Sequence, residues 1–102
     1  MLYTVYIKID TARCNDWETW MQEVHIPDVL DTGCFAHATL ARNPDADTDT
    51  RRAYRVVYRA LSDEAFDTYQ KEHAPQLQKE HTERYEGAFE AWRDVLPVID
   101  GY

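Results

Sequence analysis

The sequence has 102 residues, 44% of them hydrophobic and 13% aromatic, with 19 acidic against 11 basic residues and a net charge of −8. That length suits a single α+β domain over residues 1–102, with enough apolar mass for a packed core and too much for a disordered chain. The acidity argues against nucleic acid, which needs a basic footprint, and against an anionic membrane surface.

The opening stretch, residues 1–10, alternates as a strand over Leu2–Ile9: Tyr3, Val5, Ile7 and Ile9 share one face, and Leu2, Thr4, Tyr6 and Lys8 the other. It lacks the basic start, apolar run and cleavage site of a signal peptide, and no apolar run approaches the roughly 20 residues of a membrane span. From Cys14 the period turns helical, with Cys14, Trp17, Met21 and Val24 on one stripe and Trp20 beside it. Pro27 disfavours helical geometry at Ile26, which predicts a helix end near His25. A short helix then runs through Asp28, Val29 and Leu30, with Gly33 as its left-handed cap.

A second strand is predicted from Cys34 to Arg42, followed by an acidic, turn-rich loop over residues 43–50. The third strand, Arg51–Ala60, places Tyr54, Val56 and Tyr58 on one face and Arg55, Val57 and Arg59 on the other. Ser62 caps a second helix, with Asp63 and Glu64 in its first turn. Its stripe is Phe66, Tyr69 and His73; Pro75 predicts a break, and a further helical segment carries Leu77, His81 and Tyr85. Gly87 precedes a last strand from Ala88 to Val98. The order β-α-β-β-α-β favours a ferredoxin-like fold: a four-stranded antiparallel sheet with both helices on one face.

The block Trp17-x-x-Trp20-Met21-x-x-x-His25-Ile26-Pro27-Asp28-Val29-Leu30-x-x-Gly33-x-Phe35, with Met1-Leu2-Tyr3-x-Val5 and His73-Ala74-Pro75, resembles a bacterial family of domains of unknown function. That family sits within the dimeric α+β barrel superfamily. The resemblance covers nearly the whole chain and implies a homodimer whose two sheets pack face to face. It delivers no reaction, because the superfamily holds cofactor-independent monooxygenases, haem-degrading enzymes, lactone isomerases and plain binding proteins.

Two candidate sites emerge. His25 at a helix C-terminus would meet the negative end of the dipole, which favours its protonated form, and Asp28 or Glu23 would orient the ring for acid–base work. The plainer reading is a histidine that caps the last carbonyls. The second candidate is the sheet face turned from the helices, where Thr4, Tyr6, Lys8, His37, Thr39, Arg55, Arg59, Glu90 and Trp92 gather. With Lys8, His37 and Arg59 grouped at one end and Glu90 beside Lys8, this face would hold an anionic or aromatic ligand. The plainer reading is salt bridges along a dimer seam.

Trp17 and Trp20 read first as core fillers, either of which could wall a pocket. His73 and His81 do not repeat the i, i+4 spacing of a helical zinc site and read as core or rim residues. Cys14 and Cys34 form no C-x-x-C pair and read as buried thiols in a reducing, cytoplasmic setting. No cofactor or metal site is indicated. The expectation is a homodimeric small-molecule-binding protein, with a cofactor-independent oxygenase or isomerase using His25 as base, or a haem-binding enzyme, as alternatives.

Overall fold

The computed structural model describes residues 1–101. Four strands, β1 (Leu2–Asp10), β2 (Phe35–Arg42), β3 (Arg51–Ala60) and β4 (Phe89–Leu96), form one sheet in the order β2-β3-β1-β4, with every neighbouring pair antiparallel. Two helices connect them. Helix α1 spans residues 14–31 as Cys14–Trp20, a π turn Met21–His25 and Ile26–Asp31; α2 spans residues 63–84 as Asp63–Thr68, a π turn Tyr69–His73 and Ala74–Arg84. The fold is ferredoxin-like.

The predicted strands appear in order and place. Gly33 and Gly87 both adopt φ +76°, the left-handed geometry that ends α1 and admits the chain to β4. The Ser62 hydroxyl accepts a hydrogen bond from the Ala65 amide at 3.0 Å, capping α2.

Neither proline ends its helix. Pro27 and Pro75 lack the amide that a continuous α ladder needs. Each helix widens just before its proline: the Ile26 amide bonds to the Met21 carbonyl, and the Ala74 amide to the Tyr69 carbonyl, both across five residues. Each π turn therefore holds one extra residue and rotates the rest of its helix. In α1 this moves the buried stripe off Val24, which is 40% exposed, and brings His25 inward, before Val29 resumes the core. The expected helix end at His25 is thus a widened turn inside a helix.

The core lies between the sheet and the helices. Tyr3, Ile7 and Ile9 of β1, and Tyr54, Val56 and Tyr58 of β3, pack there against Trp17, Met21, Phe66 and Tyr69. Trp17 is fully buried and lies 4.6 Å, ring to ring, from Tyr54. In β2 a register shift between Phe35 and His37 turns Phe35 into the core while His37 pairs with Arg59 on the other face.

Candidate functional site

The outer face of the sheet carries the residues that alternation assigns to it. Tyr6 stacks on Trp92 at 5.6 Å with the rings nearly parallel, Arg55 lies over Tyr6 at 4.9 Å, and Lys8 lies over Trp92 at 5.7 Å. The Tyr6 hydroxyl donates to Asp94 at 3.0 Å. Glu90 sits opposite Lys8 in the register but takes its ion pair from Arg51 at 2.9 Å, which also holds Asp10 at 2.8 Å. Lys8, Arg51 and Arg55 thus have aromatic or acidic partners, while Arg59 has neither among the described residues and Oδ1 of Asp94 is buried without a hydrogen bond.

One expectation about this face is overturned. Because β1 and β3 run antiparallel, Lys8 pairs with Ala53 and Arg59 with Leu2, so Lys8 and Arg59 stand at opposite ends of the sheet. His37 joins Arg59, and Glu90 stays with Lys8; no single end gathers Lys8, His37 and Arg59.

The helix side holds a different constellation. A cavity of about 30 Å³ lies between the sheet and both π turns, which supply Met21, His25 and Tyr69 to its wall. Tyr3, Tyr58, Val5, Ile7 and Val56 floor it from the two central strands. His81 and Gln78 reach it from α2, and Arg93 from β4. Arg93 is an exposed residue that nevertheless lines the cavity, which puts it at the mouth. The space suits about one water molecule, so a larger occupant would require the long side chains at the mouth to move.

Two imidazoles face each other here, His25 and His81, at 5.8 Å between ring centroids. His25 stacks against Trp20 at 5.0 Å. The indole N–H of Trp17 donates to Nε2 of His81 at 2.9 Å. An indole can only donate, so that Nε2 presents a lone pair and the proton of the neutral ring belongs on Nδ1. Nδ1 of His25 is buried with no hydrogen-bond partner among the described residues.

Burial holds both rings neutral. Desolvation first, with Arg93 adding to it and Glu80 opposing, lowers the pKa of His25 from 6.5 to about 4. Desolvation, then His25 and Arg93, lowers that of His81 to about 4. Burial likewise pushes the Tyr58 and Tyr69 hydroxyls well above their usual range. This corrects the expectation of a protonated His25 at a helix end: the ring lies inside a continuous helix and points into the core. Neither Asp28 nor Glu23 orients it. Asp28 instead lines an open groove with Asp31, Glu72 and His73, and Glu23 is exposed.

Trp17, taken as a candidate ligand contact, lies behind His81 and acts on the cavity only through it. Sequence reading missed Arg93 and Gln78. For Arg93 the signal was present: if Glu90 and Trp92 face outward, alternation turns Ala91 and Arg93 of the same edge strand toward the helices. Gln78 stands next to Leu77 on a helix whose frame the π turn had shifted.

A family model described as a domain of unknown function, DUF4286, matches residues 1–99, and the chain belongs to that family. No curated protein matches the sequence. Among solved structures the fold is similar to HapK from Hahella chejuensis, at 18% identity and a TM-score of 0.69 over 100% of this chain and 97% of that one. It is similar to SnoaB, a cofactor-independent oxygenase from Streptomyces nogalater, at 13% identity and a TM-score of 0.65 over 98% and 94%. A dimeric ferredoxin-like protein from an uncultured marine organism matches at 14% identity and a TM-score of 0.69, over 99% and 96%. At these identities the likeness speaks for the fold.

Proposed function

We propose that the protein is a homodimer that binds a small molecule between its sheet and its helices, at the cavity walled by His25, His81 and Arg93. The observation that carries this reading is Nδ1 of His25, a buried polar atom without a partner beside a cavity. Buried polar groups are nearly always hydrogen-bonded, because an unpaired one costs about 1–3 kcal/mol. A ligand atom in the cavity would complete it. Both π turns frame the same space, and such turns gather at functional sites.

The outer sheet face fits the subunit contact. It exposes Trp92 at 46% and Leu96 at 55%, beside Lys8 and Arg55, which lie over aromatic rings of the same chain. A structural neighbour described as dimeric supports the same reading. Among the described residues both cysteines are free and buried, and no helix is long and apolar enough to cross a membrane, which fits a cytoplasmic setting.

SnoaB supports a second reading, a cofactor-independent oxygenase with His25 as base. His25 is neutral at pH 7 and so free to accept a proton, but a conjugate acid near 4 makes it a weak base until a ligand changes its surroundings. Binding therefore ranks ahead of chemistry. Native mass spectrometry of protein purified from its own host tests the site: a small organic molecule should accompany the folded dimer and leave on denaturation. It should be lost from His25→Ala protein that remains folded. Protein that carries nothing, and whose melting temperature no small-molecule library shifts, would contradict the reading.

A further inference from the structure

We propose that the ligand of this cavity is an anion with a planar apolar body, and that Arg93 selects it. The inference deepens the binding reading and rests on it. Three observations point the same way.

The first is a local inversion of charge. The protein as a whole is strongly acidic, at −8, yet among the described residues no carboxylate lines the cavity. Its ionisable walls are one guanidinium, two imidazoles and tyrosine hydroxyls. A carboxylate ligand therefore meets a cation at the wall itself, and the nearest acidic charge felt there, that of Glu80 on His25, stands outside the lining.

The second is that Arg93 has no acidic partner among the described residues. The ion pairs there engage Arg13, Arg42, Arg51, Lys79 and Arg84, and none engages Arg93. Its charge bears on the cavity groups: Tyr3, Tyr58, Tyr69, His25 and His81 all feel it. A guanidinium that is planar, permanently charged and without an acidic partner at the mouth of a cavity is suited to a bidentate grip on a carboxylate or a related oxyanion.

The third is the shape of the donors behind it. Trp17 locks His81 in the tautomer that carries its proton on Nδ1, and His25 leaves Nδ1 unpaired. Tyr3 and Tyr58 stack on each other at 5.8 Å in the floor and give the cavity an aromatic lining. The arrangement offers charge at the entrance, an aromatic floor and imidazole hydrogen bonding inside.

The test uses three matched planar probes, benzoate, benzamide and benzamidinium, titrated by NMR against the wild-type protein, Arg93→Gln and Arg55→Gln. The expected result is that benzoate binds wild type at least about tenfold more tightly than benzamide, and that benzamidinium does not bind. Arg93→Gln should remove that preference, so that benzoate and benzamide bind alike, and Arg55→Gln on the outer face should keep it. Benzamide binding as well as benzoate in wild type would overturn the anion inference and leave the binding site standing. Equal losses in Arg93→Gln and Arg55→Gln would reduce the preference to general surface electrostatics and also overturn it. Failure of all three probes to perturb any cavity residue would overturn the site together with its selectivity.

Discussion

On the outer face of the sheet, Arg55 lies over Tyr6, Lys8 over Trp92, and Arg51 bridges Asp10 and Glu90. On the helix face, among the described residues, Arg93 has no ion-pair partner and Nδ1 of His25 has no hydrogen bond. The first surface is exposed and pairs most of its cations within its own chain, leaving Arg59 and one oxygen of Asp94 without partners among the described residues. The second is enclosed and unsatisfied. A surface that meets another protein gains from neutralised charge and exposed apolar area, whereas a binding cavity gains from unmatched groups in a low dielectric. The richer array of charged and aromatic side chains is therefore the poorer candidate for a ligand site.

Substitution at Trp17 should have the largest effect. Trp17→Ala removes a fully buried ring and the donor to His81, and should cost about 3–5 kcal/mol in urea unfolding. Trp17→Phe keeps most of the volume, so a smaller loss accompanied by a change of His81 tautomer in ¹⁵N spectra would isolate the hydrogen bond. An unchanged tautomer would remove Trp17 from the cavity altogether.

Acid should act next, through the enclosed face. His25 and His81 bind protons near 6.5 when unfolded and near 4 when folded, so the unfolded chain takes up more protons between those values. Their contribution is complete above about pH 6.5 and is lost as pH falls toward 4, by roughly 3 kcal/mol for one ring. Glu80 and Arg93 are the charged groups facing His25, and the positive charge of Arg93 adds to the loss. Asp47, held near 2 by Arg42 first and by the Ala53 amide, loses its contribution only at lower pH. Urea midpoints measured from pH 7 to 4 should fall, and His25→Gln should flatten the slope. A flat wild-type profile would place the rings in water.

The outer face should answer to a different change. Trp92→Glu puts a charge among the exposed apolar residues and should shift light-scattering mass from twice the chain's 12.0 kDa to a monomer at micromolar concentration. The His25 and His81 resonances should stay in place. Wild type that is monomeric throughout would make this face ordinary surface. The smallest effect belongs to Arg51→Gln, whose pairs with Asp10 and Glu90 are partly exposed and should be worth about 1 kcal/mol or less.

Much of the fold was legible because strands declare their faces by alternation: Tyr3 and Ile7 inward, Tyr6 and Lys8 outward. Strand order followed from the β-α-β-β-α-β sequence of elements. Alternation also puts Lys8 and Arg59 on the outer face, but alternation alone does not fix their ends, and the antiparallel register sets them at opposite ends of the sheet. The site was less legible for a local reason. Pro27 and Pro75 read as helix breakers, but each helix absorbs its proline in a π turn, and the extra residue exchanges Val24 for His25 on the inward stripe. No periodicity rule with a fixed 3.6-residue turn anticipates that rotation. His81 was correctly put on the apolar stripe, while its bond to Trp17 depends on packing between helices.

The contrast between the two faces can be tested most directly by recording ¹⁵N spectra of the histidine rings at pH 7 with and without benzoate. The account predicts two neutral rings, His81 protonated on Nδ1, and saturable shifts at His25 and His81 with none at His37 on the outer face. Shifts confined to His37, or imidazolium signals from His25 at pH 7, would contradict it.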